Sequence, residues 1–557
     1  MLHYLLIILV AINPLQDIGG SLAFQGQDII GGAAVIFKAP KRVRDIVGGA
    51  ASMMAVRRPP RASRSASVAR NTTNRPGASA ATADTSSTPT TSDRVEAFMS
   101  QGNTSYDSGQ FTQALGAYQN AVKLAPQDPE GYSAVGDTHL SLGRFAEAAA
   151  AYEQTVRLQP DNSAAYSNLG FAYDKLGKSS ESIAALRNAV NLNANDAVAF
   201  NNLGAALYKA GRYQEAIEAF NNAVRLQPSD ADALNNLGAA LYMLEQYERA
   251  AGSFQRAIAA KADSADAHYN LGNAYYMSGR QREATVAYRR AIQLRPDYVE
   301  ARTNLGSLLI SINEHSNAIA ELQESIRLRA NNPVAHNNLG YAYVRLGETL
   351  DRAANIQHLR QAVDSYREAL RLKPDYVKAL NNLGAAHNKL GQYQEAADVL
   401  ARAVRAKPDF PEAHYNLGTA FYNRGQFKEA AAEFQQAVQL RKDYADAYNS
   451  LGSALYRDQQ FEPAVEAYKK TLSLKPGNAE TNNNLGTVYF RTKRYQEAAA
   501  CFKEAIKLKP DYGEAHFNLA LTYIALGNRK AALDQYNKLK TVDPKLAEDF
   551  FQRHMKK

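Results

Sequence analysis

Histidine and cysteine are the side chains best suited to catalysis or metal binding here, and their spacing bears on whether a reactive centre exists. Of ten histidines, His268, His336, His414 and His516 fall at one register of a repeating pattern, and His139 and His387 at another. Both registers are aromatic packing positions, so a core role is read for them instead of metal ligation. Cys501 is the only cysteine; no intrachain disulfide or thiol metal site can form. Beside Phe502 on a helix, it reads as a packed, inert thiol. The motifs H-E-x-x-H, G-x-G-x-x-G, G-x-S-x-G and a Walker loop do not occur. Carboxylates are spread over capping and exposed positions with no evident pair. The expectation is no catalytic residue, no metal, no cofactor and no enzyme activity.

The other chemistry-bearing set is a row of carboxamides. Asn168, Asn202, Asn236, Asn270, Asn304, Asn338, Asn382, Asn416, Asn484 and Asn518 occupy one register, with Ser450 filling the gap. Asn costs about 0.7 kcal/mol relative to Ala inside a helix, so ten cost roughly 6–7 kcal/mol, which rivals the stability of an ordinary domain. A compensating use is therefore expected. A carboxamide both donates and accepts, which suits it to another chain's backbone amide. Packed helices lie about 8–10 Å apart and an extended chain advances about 3.4 Å per residue. One Asn would meet about every third residue of a peptide laid across the row. The competing reading is that each Asn is hydrogen-bonded to a neighbouring repeat.

The elements carrying this row are repeats. In "NNLGAALYKAGRYQEAIEAFNNAVRLQP", Asn201 to Pro228, a Leu-Gly pair (Leu203, Gly204) is followed by Ala216, Ala223 and Pro228. The pair recurs every 34 residues at Leu237, Leu271, Leu305 and Leu339, and after one interruption at Leu383, Leu417, Leu451 and Leu485; Leu519 follows in step, with Ala520 in place of the Gly. Phe200, Leu203, Gly204 and Leu207 form one helical stripe; Ala216, Ile217, Phe220, Ala223 and Val224 form another. The small residues imply close approach, where added volume would cost about 1–3 kcal/mol. Gly211 ends the first helix and Pro228 stops the second. Asp297-x-x-Glu300 and Asp511-x-x-Glu514 have the spacing of capping boxes.

These positions resemble the tetratricopeptide repeat over residues 95–546. The resemblance implies an all-α, right-handed superhelical solenoid of thirteen helix-turn-helix units, starting at 95, 129, 163, 197, 231, 265, 299, 333, 377, 411, 445, 479 and 513. "AEDFFQRHMKK", 547–557, reads as a capping helix with Phe550 and Phe551 over the open core. Ten extra residues between Gly347 and Ala362 suggest a lengthened second helix.

In such arrays the Asn-bearing face of the first helix lines the concave groove. The ladder is similar to that in the tetratricopeptide half of O-linked N-acetylglucosamine transferase, but no glycosyltransferase domain follows the repeats up to Lys557. The chaperone-tail-binding subfamily sets paired Lys, Asn and Arg along adjacent first helices; here Lys378 precedes Asn382, with no supporting Lys upstream, and no such clamp is read. Two other rows flank the groove: Tyr208, Tyr242, Tyr276, Tyr422 and Tyr456 at the twelfth position, and Lys209, Arg345, Lys389, Arg457 and Arg491 at the thirteenth. They read as packing between repeats and a solvated rim, or as contacts to acidic and aromatic side chains of a partner. The resemblance implies a non-enzymatic scaffold that binds other proteins through extended segments. The alternative is a non-catalytic targeting subunit of a separate enzyme such as a glycosyltransferase.

Charge supports protein partners over nucleic acid. Residues 1–94 carry eleven Lys/Arg against five Asp/Glu, and the remainder 53 against 50, so the repeats lack an extended basic face. The apolar run Tyr4–Ile12 is too short to span a bilayer, which needs about 20 residues, so no integral membrane span is expected. It has the length of a signal-peptide core, with Ser21-Leu22-Ala23 as a cleavage point. Residues 1–23 as a signal would send the chain to a periplasmic or extracellular space; otherwise it is cytoplasmic. Residues 24–94 read as a disordered basic, Ser/Thr/Pro-rich tail and linker.

Overall fold

A computed structural model of the chain describes residues 90–555. The expected signal segment, and the tail and linker up to residue 89, lie outside the described residues. All regular structure described is helical: twenty-six helices pair into thirteen antiparallel hairpins, followed by the short helix Pro544–Phe550 and a π-turn over Phe551–Met555. Hairpins are numbered one to thirteen here, each with a helix A and a helix B. The chain divides at residues 301 and 302 into two compact units, and within each unit successive hairpins pack on one another.

Helix A of hairpin four (Ala197–Lys209) buries Ala199, Leu203, Gly204 and Leu207; its helix B (Tyr213–Leu226) buries Ala216, Ile217, Phe220, Ala223 and Val224. The glycine is required by contact. A Cβ on Gly204 would lie 2.6 Å from the Phe220 ring, and the same clash arises at Gly136 with Tyr152 and at Gly418 with Phe434. The ring of helix B sits directly on the backbone of helix A. Gly211 adopts φ +77°, the left-handed turn that ends helix A. Glu245, Asn313, Gln459 and Lys493 make the same turn without glycine.

Helix starts divide into two kinds. Asp128, Asn162, Asp196, Asp230, Ser264, Asn332 and Asn478 cap helix A through their side chains. In four others the cap position is aromatic, Tyr376, Phe410, Tyr444 and Tyr512, and makes no side-chain cap bond. The capping box expected of Asp511 and Glu514 is therefore not formed: the helix begins at Gly513, which puts Tyr512 and not Asp511 at the cap. These aromatics instead lie under a basic side chain three residues earlier, Arg441 over Tyr444 at 4.4 Å and Lys509 over Tyr512 at 5.0 Å.

The interruption lengthens helix B of hairpin eight to Arg352–Leu372, 21 residues, against 14 in helix B of hairpin nine, Tyr393–Ala406. The first helix starts at Thr91, where Thr90 and Asp93 form a capping box. The last begins at Pro544 and carries Phe550 into full burial, 5.2 Å from Phe517.

Candidate functional site

The carboxamide row lies on helix A at the sixth position of each hairpin. Asn168, Asn202, Asn236, Asn270, Asn304, Asn338, Asn382, Asn416 and Asn484 are buried, and Asn518 is half-buried. Burial demands partners, and most lie one hairpin upstream. The Nδ2 group of Asn236 donates to Asn201 Oδ1 at 3.1 Å, and that of Asn270 to Asn235 at 3.0 Å. In the second unit Asn382 donates to Asn337 at 3.1 Å, Asn416 to Asn381 at 2.9 Å and Asn518 to Asn483 at 3.0 Å.

The acceptor in every one of these bonds is the fifth-position Asn of the preceding hairpin. Where that position holds Ser133 or Thr303, the donor turns to the ninth: Asn168 to Asp137 Oδ1 at 3.1 Å, and Asn338 to Ser307 Oγ at 2.8 Å. One rung is broken. Asn449 Oδ1 accepts from the Thr481 hydroxyl at 3.0 Å, and Asn484 Nδ2 is buried without a partner.

The doubled Asn thus has a division of labour. The first accepts from the hairpin ahead and the second donates to the hairpin behind. At Asn168, Asn236, Asn270, Asn338, Asn382, Asn416 and Asn518 the donor is committed between repeats. The acceptor half is not: Oδ1 of Asn236, Asn270 and Asn416 is buried with no partner.

Of the flanking rows, the twelfth position joins helix A to helix B within a hairpin, and the thirteenth ties hairpins together. Tyr208 meets Tyr213 edge-on at 5.3 Å, and Tyr242 meets Tyr247 at the same distance; Tyr422 with Phe427 and Tyr456 with Phe461 repeat the contact between the twelfth position and the start of helix B. Burial raises the Tyr242 phenol above its ordinary range. Lys209 pairs with Asp174 at 2.6 Å, Lys389 with Glu348, and Arg457 lies 4.4 Å over the Phe427 ring. Tyr276 stays half-buried.

The histidines hold loops. Nε2 of His336, His414 and His516 lies 3.0 Å from the carbonyl oxygens of Ala330, Pro408 and Pro510, and that of His268 lies 3.3 Å from the Ala262 carbonyl. Each spans six residues and fastens the inter-hairpin loop to helix A. At His414 burial opposes protonation, but the bonds to Glu433 Oε2 at 2.6 Å and to Pro408 outweigh it and raise the imidazole pKa. Among the described residues no three His, Cys, Asp or Glu side chains converge on one point. The Cys501 thiol is half-buried and pushed up to about 11, by burial first and Glu497 second, so it is a poor nucleophile at neutral pH.

One further pattern escaped the sequence reading. The second residue of a hairpin and the residue 29 places on form an ion pair: Asp266 with Arg295 at 2.9 Å, Asp446 with Lys475 at 2.9 Å, and Glu412 with Arg441. The same spacing in hairpin nine holds Lys378 and Lys407. Lys378 is half-buried and its ammonium pushed down to about 8, by burial first and by Lys407 second. An acid–base spacing of 29 is readable in sequence, as is the doubled Asn; both require comparing registers between repeats.

Comparison with known proteins agrees with this architecture. Residues 306–347, 357–391, 386–423 and 418–459 match a TPR repeat family, and 445–478 and 477–545 match tetratricopeptide repeat families. Residues 60–300 match the cilia and flagella-associated protein 70 C-terminal domain. No curated protein matches significantly. Among solved structures, the chain is similar to one in the APC/C hetero-tetramer Cut9-Hcn1, at 15% identity over 83% of this chain and 96% of that one, TM-score 0.38. It is also similar to YrrB, described as a TPR protein with an unusual peptide-binding site, at 23% identity over 35% and 95%, TM-score 0.31. A thermophilic TPR protein of Thermus thermophilus is 24% identical over 35% and 100%, TM-score 0.30. With hairpins, glycine–ring contacts and family matches in agreement, the chain is a tetratricopeptide-repeat protein.

Proposed function

We propose that the chain is a non-catalytic scaffold that holds an extended segment of another protein along the helix A row, with the ladder Asn168, Asn202, Asn236, Asn270, Asn304, Asn338, Asn382, Asn416, Asn484 and Asn518 beneath it. The observation that carries this reading is the one-sided satisfaction of the ladder. The amide N–H groups of Asn236, Asn270 and Asn416 are spent between hairpins, while the oxygens of the same three residues are left with no partner. A buried acceptor left unpaired costs about 1–3 kcal/mol. The N–H groups of an extended backbone supply donors at the matching interval, whatever the side chains, once the half-buried residues beside the row move aside. Recognition would then be tolerant of sequence and directional in hydrogen bonding.

The test is a peptide array probed with protein carrying a photoreactive benzoylphenylalanine at Tyr276, on helix A, or at Arg256, on the exposed side of helix B. Crosslinks to captured peptides from position 276 and not from 256 support the reading. Capture of no peptide, or crosslinks from 256 alone, rejects it.

A ciliary or flagellar assembly is the setting favoured by the match over residues 60–300, ahead of export. A tagged full-length chain that is secreted from its native cell would reject that setting. The targeting-subunit alternative gains no support from any feature of the hairpins.

A further inference from the structure

We propose that the outer face of hairpin six is a second docking surface, made by Arg282, Val286 and the pair Arg289 and Arg290 on helix B, Gln281–Leu294. It takes a helix of a partner protein that carries two carboxylates seven residues apart with an apolar residue between them. The surface lies on helix B, away from the helix A row, and stands or falls apart from the reading above.

Val286 is 68% exposed, more than any other large apolar side chain among the described residues. The equivalent site holds Gly, Ala, Asp or Glu in every other hairpin. Valine is a poorer helix former than alanine, and at this exposure it returns little packing. Arg282, four residues before it, and Arg289, three after, are exposed on the same stripe, with Arg290 exposed beside them. The helix has one carboxylate, Glu283, and Arg280 binds it at 3.0 Å. Hairpin eight shows the same stripe with an acid in the middle: Arg360, Asp364 and Arg367. An acid at that spacing from two arginines is favourable on a helix. With Val286 in its place the stripe of hairpin six is Arg–Val–Arg, which a partner's acid–apolar–acid face complements.

The interval favours a helix as the occupant. Seven residues on helix B advance about 10.5 Å, and a docked helix returns to one face at that same interval. An extended chain returns to one face at about 7 or 14 Å and matches neither arginine pair. A duplex or a membrane surface would also cover neighbouring helices B, where Glu218 and Glu248 are exposed and repel phosphate. One helix confined to the stripe avoids both.

The experiment uses the full-length protein with isotope-labelled valine methyl groups, the Val286 signal being assigned by Val286→Ala. The probe is a side-chain-stapled helical peptide with two Glu seven residues apart and Leu between them; one control has Gln for both Glu, another moves the second Glu to the opposite face. The Val286 signal is expected to shift saturably with the probe, and the Gln peptide to bind about fivefold more weakly, a difference that shrinks at high salt. By anisotropy of labelled probe, Arg282→Glu should weaken binding about tenfold and Val286→Ala about threefold. Of two probes with one Glu replaced by Lys, one should recover binding to Arg282→Glu. An unmoved Val286 signal, equal binding of either control, or no recovery by charge exchange overturns the surface. Tighter binding to phosphatidylserine vesicles or single-stranded RNA than to the probe, lost in Arg282→Glu, also overturns it by assigning the stripe to phosphate.

Discussion

Replacing Asn381 by Ala removes the acceptor for the Asn416 amide N–H, 2.9 Å away on the next hairpin. Asn416 is wholly buried, so its donor is stranded at a cost of about 1–3 kcal/mol. Helix propensity returns about 0.7 kcal/mol for Asn to Ala, leaving a net loss of roughly 0.5–2 kcal/mol. The reverse change, Asn416→Ala, removes one donor from Asn381 Oδ1 but also deletes an oxygen that has no partner, so it is the milder of the two. Propensity cancels in the double-mutant cycle, and a coupling of about 1–2 kcal/mol is expected for the bond itself. Long repeat arrays do not unfold as one two-state unit, so the readout is hydrogen exchange in helices Val377–Lys389 and Pro411–Asn423. At about 1.4 kcal/mol per tenfold, exchange there should speed by several-fold to thirty-fold. Asn484→Ala is the internal control: its Nδ2 has no partner, and its loss should be neutral or stabilising. A coupling within about 0.3 kcal/mol of zero, or equal effects at 416 and 484, would refute the inter-hairpin role of the ladder.

Other expectations follow from contacts in the same hairpins. Gly204→Ala should lose about 1–2 kcal/mol, because the Phe220 ring must move from 2.6 Å. By contrast, Gly116→Ala, with open space around its Cβ position, should gain about 1 kcal/mol; chemical denaturation of both distinguishes packing from propensity. Tyr366→Phe deletes a buried hydroxyl with no partner and should stabilise by about 1 kcal/mol. Tyr152→Phe breaks the bond to Asp137 and should destabilise by at least as much; equal signs for the two would contradict the pairing rule. The Glu480 carboxyl is held up to about 7, by burial first, with the Glu514 charge adding to it and Lys509 opposing. Between pH 4.5 and about 7 the folded state keeps a proton that the unfolded state releases, so stability present below pH 4.5 is lost as pH rises through about 7. The melting temperature of Glu480→Gln relative to wild type should therefore climb from pH 5 to pH 8, and a constant difference would count against the raised carboxyl.

Helix existence and the close approach of the helices at the glycine were legible because they depend on local periodicity and residue volume. The Leu-Gly spacing placed Gly204 against helix B, and the Phe220 ring fills the space that a Cβ at 204 would need. The lengthened helix over Arg352–Leu372 was legible for the same reason, from Leu350, Ala353, Ala354 and Leu359. The site was less legible. Register identified the sixth-position Asn row but left open whether its amides face a guest or a neighbour, since one helix position says nothing about what stands 35 residues away.

What the sequence by itself determined is the repeat unit: two helices, a tight left-handed turn, and an apolar stripe too large for one pair to bury. Only the tertiary structure decided where the polar groups spend their hydrogen bonds. Stacking brings the fifth residue of one hairpin to the sixth of the next, and folding of a single hairpin brings its second residue beside its thirty-first. Those distances depend on how hairpins dock, and docking is set by the volumes at the contact rather than by the polar residues it brings together.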